Sequence, residues 1–401
     1  MKLEAARWGA GLTLTLCFVA VLCEGLDIQS MGLAAPRMGP ALHLTRDQLG
    51  PLFSASLVGL LIGAVVFGRL ADRHGRKRTL IICLAVFGAF SIASALASGF
   101  EALLAVRLVT GLGLGGALPN LLALSAETVS PQSRARLVTR LTCGLPLGGA
   151  ICAIVAANMS WRDIFYVGGL IPLALAVLMA IALPESRAFL AARDRPSLAP
   201  ARPAGFFWIL FGEGRAMSTL LLWTASFASL LSLYVLLNWL PTLLGDRGLP
   251  KPAASLVSLL FNIGAALGVL ILAGLLERRG RLWTLALWYL GLACALITLA
   301  LIGPGFLVSG AAGFAAGFFV SSAPLPLYGL APGYYGVLIR GAGVGVSVAI
   351  GRLGAIIGPV LAAGLLARGA GPAGVLLALL PIAVVAGAST MALVGRPSLA
   401  E

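Results

Sequence analysis

Charge is scarce in this chain: Asp, Glu, Lys and Arg make up 10% of its 401 residues, against about 25% in a soluble globular protein. A surface facing water all round would need more. Histidine is scarcer still, with only His43 and His74, both in predicted loops. No His/Cys/Asp ligand set, no serine nucleophile motif and no CxxC spacing appears, so nothing points to an enzyme, a metal, a cofactor or a disulfide framework. The six cysteines (Cys17, Cys23, Cys83, Cys143, Cys152 and Cys294) fall in apolar runs and read as small packing residues. Hydrophobic residues make up 60%, and the mean hydropathy is +1.02. Such a chain belongs in a lipid bilayer. The net charge of +14 raises the thought of a nucleic-acid partner, but the basic residues are scattered over short loops and no soluble basic domain exists to use them.

Apolar runs lie near 9–35, 49–71, 79–98, 102–124, 137–157 and 164–183, then near 216–244, 253–276, 282–302, 306–328, 341–366 and 373–394. Each approaches the roughly 20 residues that cross a bilayer as a helix. The expected fold is therefore all-α, with twelve transmembrane helices in two six-helix halves. The halves are 1–183 and 216–401, joined by a proline- and arginine-bearing linker, 184–215. The first run continues far past the h-region of a signal peptide and has no small-x-small site before Glu24, so it reads as a retained helix. With the N-terminus inside, most of the Lys and Arg collect on the inner side, including Arg69, Arg73, Arg76, Lys77, Arg78 and Arg134. Both termini are then expected in the cytoplasm.

Two acids stand where a spanning helix should have none. Glu24 and Asp27 are three residues apart, on one helix face, with Gly25 between them to admit a ligand or another backbone. A charge at the bilayer centre costs roughly 2.5 to 3.5 kcal/mol even on the lenient scale, so these carboxyls are neutralised, paired or used. Arg352 lies about eleven residues into its run, near mid-membrane, and arginine keeps its proton. It must meet an anion, either a substrate carboxylate or one of the two acids. Arg107, nearer a helix end, is open between a substrate contact and hydrogen bonds to backbone.

A loop recurs. Gly68-Arg69-Leu70-Ala71-Asp72-Arg73-His74-Gly75-Arg76-Lys77-Arg78 follows the second run, and Glu277-Arg278-Arg279-Gly280-Arg281 stands at the same place in the second half. The acid is placed to accept hydrogen bonds at a neighbouring helix N-terminus. The first loop resembles the signature loop of the major facilitator superfamily, and Arg107-Leu-Val-Thr-Gly111-Leu-Gly113 resembles that superfamily's fourth-helix motif. Glu24-Gly25-Leu26-Asp27 is similar to the acid-Gly-x-Asp motif of its aromatic acid:proton symporters, with Glu for the usual Asp. Asn238-Trp239-Leu240-Pro241 and the Arg340 and Arg352 pair resemble the same family, and Ala117-Leu-Pro-Asn120, Cys143-Gly-Leu-Pro-Leu-Gly148 and Gly351-Arg352-Leu353-Gly354-Ala355 are most similar to its branch that takes up hydroxyphenylpropionate-type acids.

The resemblance implies proton-coupled uptake of an aromatic carboxylate by alternating access, in a bacterial inner membrane, by a monomer. It implies proton coupling by Glu24 and Asp27, and substrate contacts from Arg352, Arg107, Asn120, Tyr234, Asn238, Trp239 and Tyr328. Gating falls to Gly68, Asp72, Arg73, Gly75, Arg76, Glu277 and Arg340. A proton-driven exporter of drugs or other organic compounds is the alternative, because Cys143-Gly-Leu-Pro-Leu-Gly148-Gly149 resembles the glycine and proline motif of exporters. Two sixfold halves with mid-membrane ionisable groups fit alternating access better than an open pore.

Overall fold

The computed structural model describes residues 2–130, 133–186, 189–190, 206–278, 281–301, 303, 305–335 and 339–396; the side chains of 2–10, 135–136, 206 and 277–278 stand outside that description. Among the described residues, twelve helices are long and apolar enough to cross a membrane. They are α1 (Gly11–Ala41), α2 (Arg46–His74), α3 (Arg76–Leu96), α4 (Phe100–Ala126), α5 (Leu137–Asn158) and α6 (Trp161–Ala182), then α7 (Ala216–Asp246), α8 (Lys251–Leu276), α9 (Arg281–Leu301), α10 (Phe306–Tyr334), α11 (Arg340–Ala367) and α12 (Pro372–Val394). No strand occurs among the described residues. In lipid a helix satisfies its own backbone, and that selects this architecture.

The chain forms two compact units, Met1–Ser197 and Leu198–Glu401. Of the expected 184–215 linker, residues 187–188 and 191–205 lie outside the described residues. In the first unit α2 packs along α4, α3 against α4 and α6, and α1 against α5 and α6. In the second, α8 packs along α10, α9 against α10 and α12, and α7 against α11 and α12. Shifted by six helices, the pairings are the same. Glycine sets the closest of them: Gly59 and Gly63 of α2 face the backbone of Leu108 and Leu112, while Gly111 and Gly115 of α4 face that of Ser56 and Leu60. Gly264 and Gly268 of α8 do the same against Phe314 and Phe318. Between helices in lipid there is little hydrophobic drive, so close van der Waals contact through small residues does the holding.

Three boundaries differ from expectation, each for a local reason. Helix α1 runs on through Pro36 and Pro40 to Ala41, so Arg37, expected in a loop, lies in its last turns and donates to the carbonyls of Ala156 and Met159 at the end of α5. Those contacts tie the two helix ends together. Helix α5, whose helical backbone begins ahead of the spanning stretch at Arg134, is interrupted by a turn at Cys143 after Thr142 and resumes at Gly144, where Pro146 has no N–H for the Thr142 carbonyl. Helix α10 breaks after Val320, resumes as Leu325–Leu330 and ends in a 3₁₀ turn, Ala331–Tyr334. Pro324 and Pro326 lack the N–H groups that a continuous helix would use there. At two other ends the side chains cap: the Gln48 carbonyl accepts from Thr45 N–H (3.0 Å), and Asp163 accepts from Ser160 N–H (2.8 Å).

Candidate functional site

In the first unit the two acids of α1 part company. The Asp27 carboxylate receives a two-pronged donation from Arg107 of α4, Nη1 to Oδ1 at 3.0 Å and Nη2 to Oδ2 at 2.8 Å. The second nitrogen also reaches the Asp27 carbonyl at 3.4 Å. Both residues are sealed, with Asp27 0% and Arg107 1% exposed. Parallel N–H to carboxylate bonds are the strong kind, and in so dry a place they offset a desolvation cost that would otherwise exclude both charges. Gly25, between the acids, lies against the backbone of Leu145, and Gly148 lies against that of Leu22. The glycine beside the acids therefore admits another backbone, that of α5. Glu24 is also buried and lies in electrostatic range of Cys83 on α3. The Phe165 ring of α6 stands 5.7 Å from the Arg107 guanidinium carbon.

In the second unit Arg352 of α11 is half-buried and donates to the Tyr234 hydroxyl of α7 at 3.4 Å. The Tyr328 phenol, just beyond the break in α10, sits in the field of Arg352 and of Tyr234. Tyr328 is 45% exposed and Tyr234 6%. A permanent cation beside two phenols can offer charge and hydrogen bonds to a carboxylate and ring faces to an aromatic group. The other expected contacts are placed less favourably. Trp239 is 0% exposed, and its indole N–H goes to the Pro359 carbonyl (3.0 Å), so it packs α7 on α11 and offers no ring face to a ligand. Asn120 and Asn238 are buried and turn their amide donors back to Gly116 and Tyr234 carbonyls of their own helices (2.8 and 2.9 Å).

The turn between α2 and α3 is built on Gly75, whose φ of 99° belongs to glycine, and a Cβ there would strike the Glu185 carboxylate. Asp72, expected to cap a helix N-terminus, does not take Lys77 at the start of α3. That N–H goes to Glu185, which also accepts from Ser186 N–H, both at 2.9 Å. Asp72 is instead exposed, and with Arg73, His74, Arg78, Glu185, Phe189 and Leu190 it lines a cavity of about 580 Å³. Arg76 pairs with Glu127 at the end of α4 (2.8 Å), and Ser186 Oγ donates to the same oxygen (2.6 Å). Gly68 lies one helical turn before Asp72 on α2. Of the second loop, the Glu277 side chain and residues 279–280 lie outside the described residues. Arg340 is the first residue of α11 and half-buried, and its Nε has no hydrogen-bond partner among the described residues.

The model of the Major Facilitator Superfamily matches residues 17–311. The chain belongs to the Major Facilitator Superfamily. It is 43% identical to the 3-(3-hydroxy-phenyl)propionate transporter of Escherichia coli (strain K12), over 96% of this chain and 94% of that one. It is 37% identical to the gallate transporter of Pseudomonas putida, over 92% and 88%. Among solved structures, a D-xylose-proton symporter superposes with a TM-score of 0.74 at 17% identity, covering 96% of this chain and 97% of that one. The expected superfamily and fold are thus found, and the protein is a multi-pass membrane transporter rather than an enzyme. Sequence reading missed Phe165, Glu127, Glu185 and Ser186 in this facilitator chain. Glu127 and Glu185-Ser186 stand just past the ends of α4 and α6, where the helix dipole favours cations, so an acid at that place was the one trace they left. Phe165 left no such trace, being one phenylalanine among 17.

Proposed function

We propose that the chain imports a small aromatic carboxylate together with protons by alternating access, as a monomer in a bacterial inner membrane with both termini in the cytoplasm. The relatives named for hydroxyphenylpropionate and gallate support the substrate class. The distribution of Lys and Arg supports the orientation. The observation that carries proton coupling is the sealed Asp27 and Arg107 pair. A proton taken by Asp27 removes the acceptor while Arg107 keeps its charge. Losing one partner of a buried pair costs roughly 3 to 5 kcal/mol, so the helices must shift or an anion must arrive to relieve the stranded cation. Proton and anion then favour each other's entry.

Arg352 clamps the carboxylate, with the Tyr234 and Tyr328 phenols donating beside it and their rings meeting the substrate ring. The α2–α3 turn, with Gly68, Asp72, Arg73, Gly75 and Arg76, together with Glu277 and Arg340, governs the change between inward and outward states. The test is paired uphill uptake and counterflow of a radiolabelled hydroxyphenylpropionate in proteoliposomes. Asp27→Asn is expected to abolish accumulation driven by a pH gradient and to keep exchange, which needs no net proton movement. Accumulation by that variant at the parent level would refute the proton role of Asp27. Net outward movement of label under an inward proton gradient would replace import by the exporter reading.

A further inference from the structure

We infer that Phe165 is a positioning residue of the proton-operated pair, its ring face holding the Arg107 cation when Asp27 takes a proton and so setting how acid the medium must be for loading. The inference rests on the proton role proposed for Asp27. Four observations carry it. The guanidinium carbon is 5.7 Å from the ring centroid, inside the roughly 6 Å reach of a cation over an aromatic face. Phe165 is 0% exposed, so neither water nor lipid competes for the cation there. The Arg107 Nε is buried without a hydrogen-bond partner among the described residues, so the fork toward Asp27 leaves one edge of the cation unserved. The ring is also fixed: it meets Trp161 edge-on with centroids 6.2 Å apart, and the Phe165 carbonyl accepts from Ser91 Oγ at 3.2 Å.

The physics gives the effect a sign. While Asp27 is ionised, the guanidinium belongs to a contact ion pair and the ring meets little more than a dipole. Once Asp27 is protonated, the ring faces an uncompensated cation and attracts it more strongly. The ring therefore stabilises the protonated state more than the ionised one, and loading occurs at a higher pH than it would without the ring. Other titratable groups near the pair are Glu24 on α1 and Cys152 on α5, which is in electrostatic range of both Asp27 and Arg107; Cys83 on α3 is in range of Glu24. The buried faces of α2 and α6 bring none. None of these groups supplies a second carboxylate to Arg107 among its described contacts, which leaves the ring as its secondary partner.

The test is the external-pH midpoint of proton-driven uptake in proteoliposomes for the parent, Phe165→Met, Phe165→Tyr and Asp27→Asn, with counterflow measured alongside to report insertion. Methionine fills much of the space without a π face. Its midpoint is expected to fall by about one pH unit, a tenfold change in proton concentration at half-maximal uptake. Tyrosine, which keeps the ring, is expected to hold the parent midpoint. A methionine variant that loses only rate, with the parent midpoint, overturns the inference, as does a tyrosine variant that shifts as far as methionine. Accumulation by Asp27→Asn would instead remove the proton role beneath it, so the two failures are distinguishable.

Discussion

Glu24 and Asp27 share a helix face and are both buried, yet they meet different neighbours. Asp27 is held by both prongs of Arg107; Glu24 lies in electrostatic range of Cys83. Glu24→Gln is accordingly expected to reduce accumulation less than Asp27→Asn, compared in the same vesicles at the same gradient. Equal loss in both would mean that the acids titrate as one coupled site. Arg352 carries a prediction of its own. Charge-assisted hydrogen bonds contribute roughly 1.5 to 3 kcal/mol, so Arg352→Ala should weaken substrate binding by about ten- to a hundredfold. Lysine keeps the charge but not the fork, and its effect should be smaller. Binding isotherms decide this: unchanged affinity in the alanine variant, or an amide analogue that binds the parent as well as the acid does, would remove Arg352 from the site. At this scale the sequence shows residue type and depth. An acid or arginine in an apolar run is visible because the bilayer makes it expensive, but that Arg107 belongs to Asp27, 80 residues away, is a tertiary fact. The same limit explains Trp239, Asn120 and Asn238. Their identities suit a ligand, while packing turns them toward Pro359, Gly116 and Tyr234.

Among the elements, the α2–α3 turn was the most legible, because glycine and arginine at fixed offsets leave a pattern that helix interiors do not. What stayed hidden was its partner. The acid serving the α3 N-terminus is Glu185, more than a hundred residues on, and not Asp72 within the motif. Gly75 joins the two by its positive φ and by the room it leaves for that carboxylate. Gly75→Ala should therefore strain the backbone by roughly 1 to 3 kcal/mol and push Glu185 off Lys77. The expected result is slower uptake with substrate affinity within about twofold of the parent, since the turn holds no substrate group. Affinity lost in step with rate would show that the turn contributes to binding. The breaks in α5 and α10 were less legible. Pro324 and Pro326 signal the second, and Pro146, which has no N–H for the Thr142 carbonyl, stands at the first.

For the whole molecule, the repeat was readable twice: as two groups of six apolar runs and as two related loops. Its physical content is the pairing of α2 with α4 and of α8 with α10, through glycines that sequence periodicity does not distinguish from any other small residue. Orientation is a separate matter, resting on Lys and Arg placement, and under the proposed coupling it sets from which side an inward proton gradient acts on Asp27. Five of the six cysteines are buried, and the exposed one, Cys294, lies within spanning helix α9. Introduced cysteines can therefore be read against a low background with a membrane-impermeant maleimide. His74 and Lys251 are both exposed. One follows two crossings and the other seven, so a common origin in the cytoplasm puts them on opposite faces. His74→Cys is expected to label only when the cytoplasmic face is accessible, as in inverted vesicles, and Lys251→Cys only from outside in intact cells. If the pattern is reversed, the termini lie outside and the proton gradient meets Asp27 from the other side. Import by symport would then have to give way to proton-driven export from the same buried pair.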